Sequence, residues 1–281
     1  MTYSRQHKKY LVRSPLRYPG SKAFLFDTVK YAFNGNIFIE AFAGSAILSL
    51  NFARLGKTII LNDLDPGLYA IWHVISDPSM AVELATMIRE TEINMYVHKE
   101  CVDVFNRERK PTLELAFSTI FINRTNFSGM LGAKVIGGSK QNGKYGMDVR
   151  FNREIIANRI LRASKFLSGS IVYNHDALDL LNESGFLYLD PPYLDIDGRI
   201  YRYNYKIKDM QRLLDAIKER RDPWMLSHTP SDFINTELEE FYSTKIDHRY
   251  GINTPSEKGS IEMVWSNMPL PIQTTLMEVS Q

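Results

Sequence analysis

Short apolar runs alternate with longer amphipathic stretches along this chain of 281 residues, and this alternation restricts its fold more than any other feature. Six runs have the length and composition of β-strands: residues 37–39, 58–61, 171–173, 186–189, 224–227 and 262–265. Helical periodicity marks the stretches between them: residues 23–33, 46–55, 66–75, 209–220 and 231–241. Strands that alternate with helices predict an α/β fold with a mostly parallel sheet that is covered on both faces.

Two departures from the alternation add detail to this fold. Residues 244–248 and 262–265 follow each other without a helical stretch, which predicts an antiparallel hairpin at or near a sheet edge. The middle of the chain is mainly helical, with predicted helices at 78–90, 93–109, 112–123 and 153–166. A glycine-rich polar loop separates the third of these helices from the fourth. We therefore expect an α/β domain of residues 1–76 and 168–281, interrupted by a helical insertion of residues 77–167.

Basic residues are concentrated in the predicted insertion. The segment from Arg124 to Lys165 contains nine Lys or Arg residues against two acidic residues, whereas the whole chain has a net charge of only +2. Such a segment suits a polyanionic partner, because lysine and arginine neutralise phosphate groups. A solvated charged surface is the alternative that composition leaves open.

Composition and hydropathy also restrict the class of protein. A single cysteine, Cys101, cannot form an intramolecular disulfide or a cysteine-based metal cluster. The basic N-terminus lacks the apolar stretch of a secretory signal. The most apolar region, residues 37–55, is interrupted by Glu40, Asn51 and Arg54, which argues against a membrane span. These features predict a soluble cytoplasmic protein.

The first motif that carries chemistry is a strand that runs into a turn of small residues, FIEAFAGSA at 38–46. Small residues let backbone amides approach a ligand, and the N-terminus of the following helix favours negative charge. Asp63 ends the next strand, 19 residues after Gly44, where an acidic residue can accept hydrogen bonds from ribose hydroxyls. The three-glycine fingerprint of NAD-binding folds is absent, and a purely structural turn is the alternative.

The second motif is Asp190-Pro191-Pro192-Tyr193, directly after the apolar run 186–189. Open α/β sheets bind ligands at the carboxyl ends of their strands, so this turn is expected at the functional edge. Two prolines remove two amide donors, which leaves carbonyl oxygens and a carboxylate as acceptors beside an aromatic ring. Such a site suits a planar ligand with an amino group, although a rigid turn with a packed tyrosine is the alternative.

The third motif is PLRYPGSK at 15–22, a turn that precedes the first helix. In this order, RYPGSK, FIEAFAGSA and DPPY closely resemble the motifs of the Dam-type, alpha-class DNA adenine methyltransferases, which carry a target-recognition insertion between the second and third. The resemblance extends from Pro15 to about Asn267, and residues 123–130 and 144–147 are similar to further family segments. Ala41 stands where the family usually has proline, which alters the stiffness of the turn more than its chemistry.

The resemblance implies an S-adenosylmethionine-dependent, Rossmann-like methyltransferase fold with S-adenosylmethionine as cofactor. In this family Asp63 would bind the ribose and Asp176 the adenine amine of the cofactor, although capping of a helix is the alternative role for Asp176. The complete set implied for cofactor binding is Tyr18, Gly20, Lys22, Glu40, Phe42, Ala43, Gly44, Ser45, Asp63, Asp176 and Asp190.

The resemblance also implies the reaction, transfer of a methyl group to the exocyclic amine of an adenine in double-stranded DNA. The implied catalytic residues are Asp190, Pro191, Pro192 and Tyr193. Asp190 and the Pro191 carbonyl would accept the two amine hydrogens, and the adenine would be flipped out of the duplex and stacked on Tyr193. One flipped base needs one site, so we expect a monomer. Members of restriction-modification systems act beside a cognate restriction endonuclease, which is the functional partner that this resemblance suggests.

The insertion is expected to bind the DNA. Residues that would contact phosphates or bases are Arg124, Asn126, Phe127, Lys134, Lys140, Lys144 and Arg150. Arg124 has an alternative role, because an arginine that ends a helix commonly stabilises its C-terminal dipole.

Four other functions are alternatives to this interpretation. Transfer to cytosine is disfavoured, because serine is more usual than aspartate at the first position of its motif; RNA is a second possible substrate. A DNA-binding protein without catalysis would not retain both Asp63 and Asp190. A metal-dependent hydrolase is disfavoured because the histidines at 73, 175, 228 and 248 show no paired ligand spacing, so we expect no metal.

Overall fold

A seven-stranded sheet forms the centre of the computed structural model, which describes residues 11–18, 20–194, 205–248 and 260–271. The strands are β1 Ile37–Glu40, β2 Thr58–Asn62, β3 Ile171–Tyr173, β4 Phe186–Leu189, β5 Trp224–His228, β6 Tyr242–His248 and β7 Ser260–Ser266. Their order is β3-β2-β1-β4-β5-β7-β6; β1 to β5 pair in parallel, and β7 is antiparallel to both β5 and β6. The predicted Rossmann-like α/β fold with an antiparallel C-terminal hairpin is confirmed.

The observed helices agree closely with the predicted ones. The α-helices are α1 Phe26–Ala32, α2 Ile47–Arg54, α3 Pro66–Ser76, α4 Pro78–Glu90, α5 Met95–Arg107, α6 Leu113–Thr125, α7 Arg153–Leu167, α8 Ile207–Lys218 and α9 Asp232–Glu237. The predicted helix at 231–241 is too long: α9 ends at Glu237, and a turn leads from there to Tyr242, where β6 begins to pair with β7. No helix in these described ranges has both the length and the apolar character of a membrane span.

Polar caps explain where most of these helices begin. Asp65 and Asp77 accept hydrogen bonds from the first amides of α3 and α4, and each is followed by a proline at the first helical position. Asn94, Thr112 and Asn152 cap α5, α6 and α7 in the same way. A side-chain oxygen before each apolar stretch therefore fixes the helix start locally.

The two faces of the sheet contribute to two apolar cores. On β1 the side chain of Phe38 enters one core and that of Ile39 the other, as expected for successive residues of a strand. The core around Phe38 continues into α4, α6 and α7, and it includes Leu84 and Ile160. The helices of residues 77–167 thus share an apolar core with the sheet.

The N-terminal segment 11–18 is fastened to the end of α6 by polar contacts. The Asn123 side chain accepts from the Arg17 amide at 2.9 Å and donates to the Arg17 carbonyl at 2.9 Å. The Arg124 guanidinium donates to the Pro15 carbonyl, with 2.9 Å from Nε. Gly129 follows α6 with φ +76°, and its Cα faces the Arg17 carbonyl so closely that an added Cβ would overlap that oxygen.

Replacing Gly129 with alanine is therefore expected to destabilise the protein by more than about 2 kcal/mol, because the backbone is left-handed and the added methyl has no room. The midpoint of thermal unfolding would fall accordingly. Gly138→Ala is a matched control, since Gly138 also has a positive φ of +72° but faces open space. Equal effects of both substitutions would show that the contact with Arg17 contributes nothing.

Candidate active site

A cavity of about 480 Å³ opens at the carboxyl ends of β1, β2 and β4. Every residue that the sequence predicted as catalytic or cofactor-binding lines it: Tyr18, Gly20, Lys22, Glu40, Phe42, Ala43, Gly44, Ser45, Asp63, Asp176, Asp190, Pro191, Pro192 and Tyr193. The structure thus brings together residues up to 175 positions apart in the sequence, from Tyr18 to Tyr193. Their individual roles in binding and catalysis stay predictions.

The turn after β1 is tied to the end of β2 by Asp63. One carboxylate oxygen of Asp63 accepts from the Gly44 amide at 2.9 Å, and the other accepts from the Asp65 amide at 3.0 Å. Trp72 donates from its indole to the Gly44 carbonyl at 3.1 Å, which holds the other side of the turn. Gly44 has φ +44°, and a Cβ there would be 3.0 Å from the Tyr18 ring. Glycine therefore allows Tyr18 to lie against the turn.

Two carboxyl groups on this side of the cavity are poorly solvated. Burial raises the pKa of Glu40 to about 8, even though its carboxylate accepts from the Ser49 amide at 3.1 Å. Burial also raises the pKa of Asp63 to about 7, against the opposing effect of its two backbone hydrogen bonds. Both groups therefore change charge near neutral pH, and a ligand with hydroxyl or amino groups would find strong acceptors above those values.

Asp190 directly follows β4, and its side-chain contacts with described residues all involve one carboxylate oxygen, Oδ1. Its Oδ1 lies 2.7 Å from the Lys22 ammonium and accepts from the Ser227 hydroxyl at 3.1 Å. Ser227 is in turn held by the buried Tyr188 hydroxyl at 2.7 Å. No residue within the described ranges is bonded to Oδ2, and Asp190 lines the cavity. The carboxylate is thus fixed through Oδ1, with acceptor capacity remaining at Oδ2.

Lys22 is the centre of a buried polar network. Besides Asp190, its ammonium contacts the Gly20 carbonyl at 3.0 Å, the Tyr193 hydroxyl at 2.9 Å and Glu262 Oε1 at 3.4 Å. The Tyr193 hydroxyl donates to Glu262 Oε2 at 3.1 Å, which closes the network. The side chains of Lys22 and Glu262 are 5% and 1% exposed, so neither charge is stabilised by water.

The charges in this network stabilise one another. Burial alone would lower the pKa of Lys22, but the carboxylates of Asp190 and Glu262 outweigh it and hold that pKa well above its usual value. Burial raises the pKa of Glu262 to about 7, while Lys22 opposes the shift. Lys22 therefore stays an ammonium ion and orients the carboxylates around it.

Glu262, Ser227 and Tyr188 are parts of this network that sequence reasoning missed. Glu262 lies in the middle of β7, among apolar residues, and pairs across the sheet with Ile246 of β6. A single carboxylate in an apolar strand is the signal that could have identified it, since buried charges are almost always partnered. Ser227 and Tyr188 carry no such signal, because neutral hydroxyls are common in strands.

The Tyr193 ring lies at the end of the Pro-Pro turn, edge-on to the His228 ring with 5.1 Å between centroids. Burial raises the pKa of Tyr193, so its hydroxyl stays protonated and acts as a donor to Glu262. The ring lines the cavity, but the structure joins its hydroxyl to Lys22 as well. Stacking of a base on this ring remains a prediction.

The segment after β3 also lines the cavity, through Asp176 and Leu178. Asp176 caps a 3₁₀ turn, Ala177–Asn182, by accepting from the Leu178 amide at 3.0 Å, which is the structural role considered for it. Tyr205, which the sequence did not single out, packs edge-on against Phe42 at 5.6 Å and also lines the cavity. Contact of Asp176 with a cofactor is compatible with the cap, because only one oxygen is used.

The residues predicted to bind DNA fall into two groups. Phe127 is 52% exposed, and Lys134, Lys140, Lys144 and Arg150 are also exposed. Arg124 and Asn126 are buried instead. Arg124 bonds the Pro15 carbonyl, and Asn126 contacts His98 at 2.9 Å, so contact of either side chain with DNA, which stays untested, is not favoured by this geometry.

A metal site was not expected, and within the described residues no group of three or more His, Cys, Asp or Glu side chains could hold an ion. His175 stacks on Tyr173, and His228 contacts the Thr229 carbonyl.

Known proteins provide a further comparison. The model of the D12 class N6 adenine-specific DNA methyltransferase family matches residues 18–256. No curated protein gives a significant match. Among solved structures, Thermoplasma acidophilum protein 1320 is similar at 9% identity and a TM-score of 0.39, with 90% of each chain covered. Pyrococcus horikoshii PH1948, which has been proposed to be an RNA methyltransferase, is similar at 13% identity and a TM-score of 0.38, covering 89% of this chain and 84% of that one.

Proposed function

The chain belongs to the D12 class N6 adenine-specific DNA methyltransferase family, and on this premise we propose how its site works and on what substrate. The proposed reaction is transfer of the methyl group of S-adenosylmethionine to the N6 amine of an adenine that has been flipped out of a specific DNA sequence. The observation that carries the proposal is the Asp190 carboxylate, fixed through Oδ1 by Lys22 and Ser227 at the wall of the cavity.

The residues of the cavity fit the implied cofactor. A volume of about 480 Å³ is within the range of small-molecule sites. Gly44 lines the cavity at the turn after β1, Asp63 would supply carboxylate oxygens for the ribose, and Asp176 would supply one for the adenine amine. When bound, S-adenosylmethionine supplies an electrophilic methyl group on a sulfonium.

The residues of the DPPY turn would activate the target amine. The N6 lone pair of adenine is delocalised into the ring, so the amine is a weak nucleophile. If Asp190 Oδ2 and the Pro191 carbonyl accept its two hydrogens, the lone pair can localise on nitrogen and point at the methyl group. The bound cofactor would supply the methyl group for the new nitrogen–carbon bond and keep the electron pair of its sulfur–carbon bond, and the surplus amine proton would leave to solvent. Asp190 and Pro191 contribute orientation and charge.

A base in a duplex cannot reach this cavity, so the target adenine would leave the stack and lie beside Tyr193. The exposed basic residues Lys134, Lys140, Lys144 and Arg150 would hold the DNA backbone, and Phe127 would contact bases. We assign residues 77–167 to target recognition and residues 1–76 and 168–281 to catalysis, in a monomer.

The test is methyl transfer from labelled S-adenosylmethionine to unmethylated genomic DNA, followed by nucleoside analysis. N6-methyladenine as the labelled product is expected, and mapping the modified positions would show whether one sequence is recognised. Methylcytosine as the product would move the assignment to the cytosine amine, and label in RNA alone would change the substrate. A functional link to a restriction endonuclease would be tested by cleavage of the mapped sequence in the presence and absence of methylation.

Cofactor affinity is expected to fall as the pH decreases through about 7. Burial places the pKa of Asp63 at about 7, so the acceptor carboxylate is present above this value and is lost below it. If binding needs the ionised form, the dissociation constant rises by up to about tenfold per pH unit below 7. Titration calorimetry between pH 6 and 8.5 would measure this.

Two variants separate the contributing groups. Asp63→Asn should bind weakly at every pH and lose the dependence near pH 7. Glu40→Gln tests the neighbouring carboxyl, whose pKa is about 8. An unchanged pH profile in Asp63→Asn would exclude Asp63 as the titrating group.

A further inference from the structure

Five arginines lie next to one another where the N-terminal segment meets the helices of residues 77–167. We call them the arginine row: Arg13, Arg17, Arg124, Arg150 and Arg159. Arg159 and Arg124 bind the Ser14 and Pro15 carbonyls, which lie between Arg13 and Arg17 in the sequence, and Arg150 interacts electrostatically with Arg17. Their proximity shows in their ionisation. Burial and then repulsion from Arg159 and Arg17 lower the pKa of Arg124 to about 10. Burial and then repulsion from Arg13 lower the pKa of Arg159, and burial and then repulsion from Arg150 lower that of Arg17.

Backbone carbonyls hold the row in place. Arg159 donates to the Ser14 carbonyl at 3.3 Å, and Arg124 donates to the Pro15 carbonyl at 2.9 Å. The Arg17 carbonyl accepts from Asn123, so three carbonyls within four residues of the N-terminal segment are bound by side chains of α6 and α7. The arginines are therefore brought together by specific contacts with neutral groups.

No carboxylate neutralises the row in the part of the chain that the structure describes. The ion pairs there join Lys22 to Asp190 and Glu262, Arg89 to Glu154, Lys218 to Glu237, and Arg220 to Asp222. Like charges held close together repel one another, so the row has an unfavourable electrostatic energy that a polyanion would relieve.

The row borders the active-site cavity. Arg17 immediately precedes Tyr18, which lines the cavity, and Gly129 packs against the Arg17 carbonyl while lining the cavity itself. Asn123 donates to the carbonyls of both Arg17 and Gly129, at 2.9 and 2.7 Å. The cavity wall and the row are thus joined by hydrogen bonds to the same side chain, Asn123.

We infer that the arginine row is a binding site for successive phosphates of duplex DNA beside the flipped adenine; this inference rests on the proposed DNA substrate. Arg13 and Arg150 are exposed and supply the outer contacts, Arg17 and Arg159 are half-buried, and Arg124 is buried and positions the segment. Separate guanidinium groups in a row match repeated phosphates better than one small anion. Such contacts anchor DNA of any sequence.

The test is binding of the full-length double variant Arg13→Ala/Arg150→Ala to a fluorescent 30-base-pair duplex of mixed sequence, followed by anisotropy over a range of salt concentrations. Each lost phosphate contact reduces the dependence of log affinity on log salt by about 0.9, so the slope should fall by about 2. Affinity at 0.1 M salt should fall by about tenfold or more. In methyl transfer, the loss should appear mainly in the KM for DNA.

Two further variants control for charge and folding. Arg221→Ala removes an exposed arginine shortly before β5, at the amino end of the strands, and should leave both slope and affinity unchanged. Arg13→Lys/Arg150→Lys keeps the charges and should restore most of the slope. Because Arg13 and Arg150 are exposed, thermal unfolding of the double variant should match that of the unmodified protein.

The outcomes separate this inference from the proposed function. An unchanged salt slope in the alanine variant, with N6-methyladenine still formed, would overturn the arginine row and leave the methyltransferase assignment intact. Tighter binding of an RNA duplex than of the DNA duplex would overturn the choice of partner. Absence of both DNA binding and DNA methylation in the unmodified protein would count against the row and the proposed substrate together.

Discussion

Replacing Asp190 with alanine is expected to reduce the rate of methyl transfer by about 10³-fold, the size of effect seen when one preorganised polar group is removed from an active site. The amine of the target adenine would lose the acceptor at Oδ2 that localises its lone pair. Transfer of labelled methyl groups to DNA in single-turnover conditions measures the chemical step directly.

Several comparisons make this result specific to the carboxylate. Asp190→Asn keeps the shape and one acceptor oxygen, so its activity should lie between those of the alanine variant and the unmodified enzyme. Asp215→Ala, on the exposed face of α8, should have full activity. Thermal unfolding should change less in Asp190→Ala than in a variant without Lys22, since Lys22 keeps Glu262 as a partner. Binding of S-adenosylmethionine, measured separately, would show how much Asp190 contributes to cofactor affinity. Near-normal turnover in Asp190→Ala would falsify the proposed mechanism.

Lys22→Met is expected to have the second largest effect, on stability and on activity together. The substitution leaves the carboxylates of Asp190 and Glu262 near each other without their shared cation, and breaking a buried ion pair in this way costs about 3–5 kcal/mol. The rate of methyl transfer should also fall by about 10²-fold, because Asp190 loses its 2.7 Å contact and its fixed orientation.

The destabilisation should depend on pH in a defined direction. Lys22 opposes the upward shift of the Glu262 pKa, so its removal raises that pKa further above about 7. Between the ordinary pKa of a glutamate and this raised pKa, Glu262 is protonated in the folded variant but ionised in the unfolded chain. The stability of the variant therefore decreases as the pH rises through this interval. The deficit relative to the unmodified protein should therefore be smaller at pH 6 than at pH 8, as measured by urea unfolding.

Lys218→Met is a matched control for this experiment. Lys218 also forms an ion pair, with Glu237, but both side chains are 26% exposed and lie away from the cavity. Its loss should cost no more than about 1 kcal/mol and leave methyl transfer unchanged. Equal destabilisation by the two substitutions would indicate that the Lys22 network is no more than a surface ion pair.

Local sequence signals were sufficient for most elements of the fold. The apolar runs at 186–189 and 224–227 became β4 and β5, because each run is short, β-rich and bounded by turn residues. Helices α4 and α7 begin where predicted, since Asp77 and Asn152 cap them. The antiparallel hairpin was also predicted, whereas the position of β7 between β5 and β6 was not, because strand order depends on contacts between distant residues.

The same division between local and distant information applies to the site. The residues of the three motifs were predicted because each motif is a continuous strand and turn. Glu262 was missed because its role depends on a lysine 240 residues earlier, and nothing in its neighbours points to that partner. Arg124 was predicted to face DNA from its basic surroundings, but its guanidinium bonds a carbonyl 109 residues away. Burial of a charged side chain is decided by tertiary packing.

The Lys22 network joins residues that are far apart in the sequence. Tyr193 follows Lys22 by 171 residues, and Glu262 of β7 follows Tyr193 by 69 residues. During synthesis, the lysine and the aspartate leave the ribosome well before the strand that carries Glu262. The nascent chain can therefore form its motifs early but complete the network only after β7 has emerged and paired between β5 and β6. Methylation would thus require β7 to be synthesised and paired, because Glu262 is one of the two carboxylates that bind Lys22.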